Sequence, residues 1–395
     1  MTAASAPSGV FSPISAGVVS ALVGFTSAFV VVLAGLAAVG ADPDQASSGL
    51  LAVSVTMGLS CVLLAWWTRM PITVAWSTPG AALLATTGAV EGGWPAAVGA
   101  FLITGALIVL TGLVPLLGAL IARIPASVAQ AMLAGVLLQL CLGPITGLAT
   151  NPLQVAPVVA VWLLATRFLP RWAAPFAFLT AAIVIGVHVA TSGTAIDLAT
   201  LTPRVEITTP VFTLAGVIGI ALPLYLVTMA SQNVPGVAVM KGLGYEVPWR
   251  RSMLVTGVGT VLGAPAGGHA INLAAISAAL AAGPEAGEDR SRRWIASVTA
   301  GIVLVGLGIA SSAFGALVSL APAGVIAAVA GLALLATFTA SLKAAISEPD
   351  EQIPAVVTFV TAASGIAIAG VSAAFWALIA GLVVRFVLRR GRRPA

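Results

Sequence analysis

The chain has 395 residues and a formal net charge of +5; 59% of its residues are hydrophobic and only 7% are charged. Soluble domains carry roughly 25% charged residues, so this composition excludes a soluble globular protein. A membrane-spanning helix takes about 20 mostly apolar residues, and apolar runs recur along the whole chain. The composition therefore predicts an integral membrane protein without a separate soluble domain.

The apolar runs predict fourteen spanning segments, which we number in chain order. They cover residues 15–40, 49–67, 77–90, 94–118, 126–141, 153–169, 172–191, 210–233, 250–262, 269–282, 293–313, 317–341, 353–370 and 373–390. The N-terminus lacks the basic region of a cleaved signal peptide, so we expect segment 1 to be retained. Cys61 and Cys141 lie in apolar runs, which predicts neither a disulfide nor a metal site. We expect no cofactor.

The positions of the basic residues support this count. With the N-terminus in the cytoplasm, every Lys and Arg except Arg204 falls on the cytoplasmic side, as the positive-inside rule requires. A missed segment would invert everything that follows it. The basic residues are not clustered on one face, so we expect lipid and not nucleic acid as the partner. The predicted fold class is an all-α polytopic membrane protein with both termini in the cytoplasm.

Segments 3 and 10 share a pattern that indicates an internal repeat. Pro71 opens a stretch that reaches Glu91 twenty residues later, and Pro265 opens one that reaches Glu285 after the same interval. These segments occupy equivalent positions if the chain is two halves of seven, and an odd number makes the second half inverted. Interrupted helices at corresponding positions of an inverted repeat are the best sequence pointer to a transporter binding site.

Both breaks are expected to place irregular backbone inside the membrane, where it survives only if it is buried or lines a cavity. We expect residues 71–77 and 264–268 to be extended and to pair in an antiparallel way. Half-helices should then begin near Thr78 and near Ala270. Their free N–H groups and positive dipole ends would suit a bound anion.

Polar residues cluster in sequence around these breaks. Ser77 and Thr78 precede Pro79, which fits the first turn of a helix. The other candidates lie in segments 1, 8 and 10: Thr26 and Ser27; Ser231, Gln232 and Asn233; His269 and Asn272. No Asp or Glu falls inside a predicted span, which favours an anionic or neutral polar substrate over a cation. The alternative for each Ser and Thr is a hydrogen bond within the helix bundle.

His269 is the ionisable residue predicted to lie near the membrane midplane, and such a residue is a functional candidate. A bound carboxylate would favour its protonated form and could couple anion binding to proton uptake. Substrate contact without coupling, and a purely structural role, are the alternatives. The sequence shows no paired carboxylates and no metal-ligand spacing, so we do not expect an enzyme. The absence of a charged ring disfavours a channel.

Two stretches closely resemble the benzoate–proton symporter (BenE-type) family. They are "LPLYLVTMASQNVPGVAVMKGLGYEVPWR" (222–250) and "GAPAGGHAINLAAISAALAAGPEAGEDRSRRW" (263–294), and "GFTSAF" and "WSTPGAALL" also fit. The resemblance implies the fold of uracil and ascorbate transporters and sulfate-type anion exchangers. It implies a core domain from residues 1–118 and 208–313, and a gate domain from 119–207 and 314–395.

The resemblance implies import of benzoate or a similar aromatic carboxylate with a proton across a bacterial-type inner membrane. Asn272, Gln232 or Asn233, with backbone N–H groups near Gly268 and Thr78, would hold the carboxylate. Phe25, Phe29 and Trp76 would wall the ring. Uracil carriers typically use glutamates where this chain has amides and His269, which favours a carboxylate substrate. A nucleobase or inorganic anion is the alternative substrate, and a homodimer is possible.

Overall fold

The computed structural model describes residues 11–193, 198–366, 368 and 371–390. This part of the chain is mostly helical, with one two-stranded sheet. The α-helices are Phe11–Thr26, Phe29–Ala38, Pro43–Thr68, Thr78–Thr87, Gly93–Leu113, Pro115–Ala122, Ala126–Cys141, Gly143–Thr150, Pro152–Phe168, Ala173–Ser192, Leu214–Gly216, Leu222–Thr228, Val234–Gly242, Trp249–Gly263, Ile276–Ala282, Trp294–Ile309, Ser311–Ser319, Val325–Ala345, Gln352–Ala363 and Ala373–Arg390.

Eight helical stretches in the described residues are long and apolar enough to cross a membrane. They are Ser12–Ala38, Pro43–Thr68, Gly93–Leu113, Ala126–Thr150, Pro170–Ser192, Leu214–Gly242, Arg290–Ile309 and Val325–Ala345. The protein is therefore a polytopic membrane protein. Segments 3 and 10 contain only short helices of 10 and 7 residues, as a break in each requires.

Several predicted boundaries are wrong, and proline or glycine accounts for most of them. The helix of segment 4 ends at Leu113, because Pro115 starts a separate short helix. Segment 12 begins at Val325 after Gly324, whose φ of +85° is left-handed. Segment 13 ends at Ala363, shortly before Gly365 at φ +65°. Glycine adopts such angles without steric cost.

Segment 8 does not end at the predicted residue. The helical stretch Leu214–Gly242 continues through Pro235 and contains two π-helical turns, Val217–Ala221 and Met229–Asn233. A proline inside an α-helix removes an N–H donor and clashes with the carbonyl four residues earlier. The wider turn before Pro235 relieves this conflict, and single π turns of this kind are frequent at functional sites.

The two breaks form an antiparallel strand pair, β1 (Val74–Trp76) and β2 (Ile271–Leu273). The prediction for the second break is wrong in detail. Residues 264–266 form a 3-10 turn, β2 follows it, and the helix begins only at Ile276. His269 therefore precedes a strand and Asn272 lies within it, so neither is in the first turn of a helix. Pairing with β1 satisfies the extended backbone of β2, which removes the need for a helix there.

Side chains complete the hydrogen bonding at the outer edges of this strand pair. The Cys61 thiol contacts the Val74 N–H at 2.9 Å and donates to the Val74 carbonyl at 3.2 Å. Thr260 Oγ1 accepts the Ile271 N–H at 3.1 Å. Unpaired backbone groups inside a bilayer cost several kcal/mol each, so these contacts permit a two-stranded sheet at this depth.

The helices pack in two groups. In one, Pro43–Thr68 and Phe11–Thr26 pack against Trp294–Ile309, and Gly93–Leu113 packs against Trp249–Gly263. In the other, Ala126–Cys141 packs against Val325–Ala345 and Gln352–Ala363. The strand pair and both short helices belong to the first group. This arrangement places the breaks beside the helices of the second group.

Candidate functional site

A cavity of about 120 Å³, here called the central cavity, lies beside the strand pair. Its walls come from segments 1, 2, 3, 8, 10, 11 and 12. The lining residues are Ser20, Ala21, Val23, Gly24, Ser27, Ala28, Met57, Cys61, Thr73, Val74, Ala75, Trp76, Thr78, Gln232, Ala274, Ala275, Ser277, Leu280, Ala300, Leu304, Ala333, Leu334 and Thr337. None of these described residues is charged. This volume is of the same order as that of an engineered apolar cavity of about 150 Å³ that holds benzene.

Ser77 builds the start of the short helix Thr78–Thr87, here called half-helix 3. It is the N-cap residue, and its Oγ accepts the Gly80 N–H at 3.1 Å and the Thr228 hydroxyl at 2.8 Å. Pro79 has no N–H, and the Ala81 N–H bonds the Ser77 carbonyl at 2.8 Å. The Ser77 oxygen thus accepts two hydrogen bonds within the structure. These contacts leave the Thr78 N–H as the donor of the first turn without a partner among the described residues.

Four of the predicted residues line the central cavity: Ser27, Trp76, Thr78 and Gln232. Gln232 lies in the π-helical turn Met229–Asn233 and is half-buried. Its side-chain amide makes no hydrogen bond to another described residue. An unpaired amide facing a mostly apolar cavity can both donate to and accept from a ligand, so Gln232 is the strongest polar candidate here.

Asn233, the neighbour of Gln232, has a different position. It is fully buried and does not line the central cavity. Its Oδ1 accepts the Leu273 N–H at 2.9 Å, and its Nδ2 contacts the Met229 sulfur at 3.1 Å. Asn233 therefore holds the outer edge of β2 from segment 8.

His269, Asn272 and Gly268 are buried away from the central cavity. His269 is 1% exposed, and neither imidazole nitrogen reaches hydrogen-bond geometry with a described residue, although the Ser77 backbone lies near the ring. The Asn272 Nδ2 donates to the Leu273 carbonyl at 2.8 Å, while its Oδ1 has no partner in the same part of the chain. The Gly268 N–H bonds the Gly263 carbonyl at 2.9 Å.

Thr26, Ser231 and Phe25 also lie outside the cavity wall. Thr26 donates to the Leu22 carbonyl of its own helix at 2.7 Å, and the buried Ser231 hydroxyl has no partner in the described chain. Phe25 is fully buried and packs against Trp76 with ring centroids 5.2 Å apart. Trp76 itself lines the cavity. The Phe25 ring therefore supports this wall from behind.

The sequence reasoning missed several lining residues. Thr73, whose buried hydroxyl has no partner among the described residues, and Ser277 flank the strand pair. Their places next to the breaks could have identified them. Thr337 comes from helix Val325–Ala345 in the other packing group, and nothing in its local sequence points to a site.

Comparison with known proteins gives the family. The BenE family model, described as "Benzoate membrane transport protein", matches residues 8–387. The chain is 39% identical over 376 residues to the inner membrane protein YdcO of Escherichia coli (strain K12), covering 94% of this chain and 95% of the relative. It is 29% identical to the benzoate membrane transport protein of Acinetobacter baylyi (strain ATCC 33305 / BD413 / ADP1), covering 94% of each.

Solved structures give the fold. The transmembrane domain of a cyanobacterium bicarbonate transporter, BicA, superposes with a TM-score of 0.59 at 15% identity, covering 96% of both chains. SLC26A9 superposes with a TM-score of 0.60 at 15% identity, covering 95% of this chain and 65% of that one. The fold is thus shared with anion transporters, and the family match covers nearly the whole chain. This protein belongs to the BenE family of membrane transporters.

Proposed function

We propose that this protein imports benzoate or a similar aromatic carboxylate together with a proton across a bacterial-type inner membrane. The central cavity is the observation that carries the proposal. Its volume is of the order that holds one aromatic ring, its walls are mostly apolar, and no charged side chain lines it among the described residues. A carboxylate without a charged partner would depend on helix dipoles and neutral donors, and such groups converge at this cavity.

The carboxylate is proposed to lie between the first turns of half-helix 3 and of the short helix Ile276–Ala282, here called half-helix 10. Thr78, Gln232 and Ser277 line the cavity there, and the Thr78 N–H, the Gln232 amide and the Ser277 hydroxyl are the proposed donors. Half-helix 10 has no capping side chain, so no side chain competes for its first N–H groups. Helix N-termini favour anions through their free N–H groups and dipoles. The ring would then contact Trp76 and Leu334.

Alternating access is proposed to come from movement of the first packing group, the core domain, against the second, the gate domain. The fourteen segments would form an inverted 7+7 repeat with both termini in the cytoplasm. Two observations support this arrangement. The breaks in segments 3 and 10 pair with each other, and Thr337 brings a gate helix to a cavity otherwise formed mainly by the core. The proposed arrangement of core and gate also allows two subunits to form a homodimer.

His269 is proposed to carry the coupled proton. It is buried beside the strand pair with both nitrogens unpartnered in the described chain, so a proton there would add a positive charge next to the strands that form part of the cavity wall. Import of one proton with one monovalent anion is electroneutral, so the pH gradient alone would drive accumulation.

Uptake of labelled benzoate into proteoliposomes under an imposed pH gradient tests the proposal. We expect saturable accumulation that collapses with the gradient. His269→Gln should still bind benzoate but lose pH-driven accumulation. Asn272→Ala is the control, because Asn272 is also buried but is not proposed to carry the proton. Accumulation that is unchanged in His269→Ala and His269→Gln would remove the proton role and leave transport standing. Absence of any benzoate flux by the unaltered protein would remove the function itself.

An inorganic anion is the second candidate substrate, because the structural neighbours are named for bicarbonate and anion transport. The mostly apolar lining favours an aromatic acid instead. Competition of labelled benzoate uptake by bicarbonate, sulfate and uracil separates the candidates. We expect substituted benzoates to compete and these three to leave uptake unchanged.

A further inference from the structure

A second cavity, here called the vestibule, lies at the far end of half-helix 10. It has a volume of about 160 Å³ and is lined by Ser15, Ala16, Val19, Arg171, Leu280 and Glu285. Leu280 lines the central cavity too, and Val19 precedes Ser20, which lines that cavity from the same helix. The two cavities are therefore consecutive along one groove between segment 1 and half-helix 10.

An ion pair stands at the outer end of this groove. The Arg171 guanidinium donates to the Glu285 carboxylate, and the two side chains are 59% and 41% exposed. Arg171 lies in the 3-10 turn Pro170–Trp172, between two helices of the gate domain. Glu285 lies in the 3-10 turn Pro284–Ala286 directly after half-helix 10. The pair thus joins the two packing groups.

The turn that carries Glu285 is fixed in place. Arg293 donates to the Ala282 carbonyl at 2.8 Å and to the Gly287 carbonyl at 2.9 Å, on either side of Glu285. Ser12 donates to the Glu285 carbonyl at 3.1 Å. The Glu285 carboxylate is therefore held where the vestibule opens at the protein surface, and it faces Arg171.

We propose that the vestibule is a second binding site for the aromatic carboxylate, and that Glu285 occupies its anion position when the site is empty. The inference rests on the proposed function. A guanidinium binds carboxylates through paired hydrogen bonds, and a carboxylate already lies on Arg171. Val19, Leu280 and Ala16 provide apolar contacts for a ring. A substrate that replaces Glu285 on Arg171 also releases the link between core and gate.

Transport kinetics measured from each face test this site. Membrane vesicles of both orientations give the KM for labelled benzoate at each face of the membrane. At the face where the vestibule opens, here called the vestibule face, Arg171→Gln should raise this KM by about tenfold, since a charge-assisted hydrogen bond is lost. Glu285→Gln should lower the KM at that face, because the competing charge is removed. Neither change should alter the KM at the opposite face.

The neighbouring ion pair between Asp289 and Arg292, at 3.5 Å, is exposed and lines neither cavity. Asp289→Asn and Arg292→Gln are matched controls and should leave both KM values unchanged. If the Arg171–Glu285 pair only links the domains, Arg171→Gln and Glu285→Gln should change the KM in the same direction. That result would overturn the vestibule site. Loss of benzoate transport in the unaltered protein would instead remove the proposed function.

Discussion

Asn233 Oδ1 accepts the backbone N–H of Leu273 at 2.9 Å, so a side chain of segment 8 holds the outer edge of β2. The next residue toward the N-terminus, Gln232, lines the central cavity and has no such partner among the described residues. Adjacent amides thus have separate roles, one structural and one facing the proposed substrate.

Replacement of these two amides should separate stability from binding. Asn233→Ala leaves a buried N–H without a partner, which costs about 1–3 kcal/mol, so its thermal unfolding temperature should fall. Gln232→Ala should unfold at the temperature of the unaltered protein while its KM for benzoate rises. Equal unfolding temperatures for both variants would contradict the assignment of Asn233.

Packing of helix Trp294–Ile309 against helix Pro43–Thr68 depends on a close approach between Gly58 and Gly301. A Cβ added at Gly301 would lie 2.4 Å from the Gly58 carbonyl oxygen, a backbone atom that cannot move aside without shifting its helix. Gly301→Ala should therefore destabilise the protein by about 1–3 kcal/mol, as measured by thermal unfolding.

Gly306 is the matched control for this change, because it lies in the same helix with open space around its added Cβ. Gly306→Ala should be neutral or stabilise the protein by up to about 1 kcal/mol, since alanine favours the helix. Similar losses of stability in both variants would show that the close contact with Gly58 does not cause the destabilisation.

Filling the central cavity should block substrate. Ala333 lines it from the helix Val325–Ala345, and Ala336 lies on the same helix, exposed and away from the cavity. Ala333→Leu should weaken benzoate binding at least about tenfold, a change of about 1.4 kcal/mol, in equilibrium binding to the purified protein. Ala336→Leu should bind benzoate normally; binding that survives in both would place the substrate elsewhere.

The cap of half-helix 3 can be tested at Ser77. Ser77→Ala removes the acceptor of the Gly80 N–H and of the Thr228 hydroxyl. Loss of an N-cap costs about 0.5–2 kcal/mol, so the unfolding temperature should fall. Ser54, also buried, donates only to the Leu50 carbonyl of its own helix at 2.6 Å, and Ser54→Ala should have a smaller effect. The reverse order would contradict the capping role.

Composition and hydrophobic pattern were sufficient to predict a polytopic helical membrane protein, because a bilayer accepts little else than apolar helices. The breaks at segments 3 and 10 were also predictable, since proline and glycine close together in an apolar run disfavour a continuous helix. The break before Thr78 was predicted at the right residue. The start of half-helix 10 was wrong by six residues, because pairing of β2 with β1 decides how far the extended backbone continues.

Tertiary structure alone decided which polar residues face the cavity. Gln232 and Asn233 are adjacent and chemically alike, and only the π-helical turn and the position of Leu273 assign one to the cavity and the other to the strand. Thr337 lies more than a hundred residues from Gln232 in sequence and reaches the same cavity only through packing of the helix Val325–Ala345. Local sequence fixes helix propensity and breaks, whereas the direction of a side chain inside a bundle depends on long-range contacts.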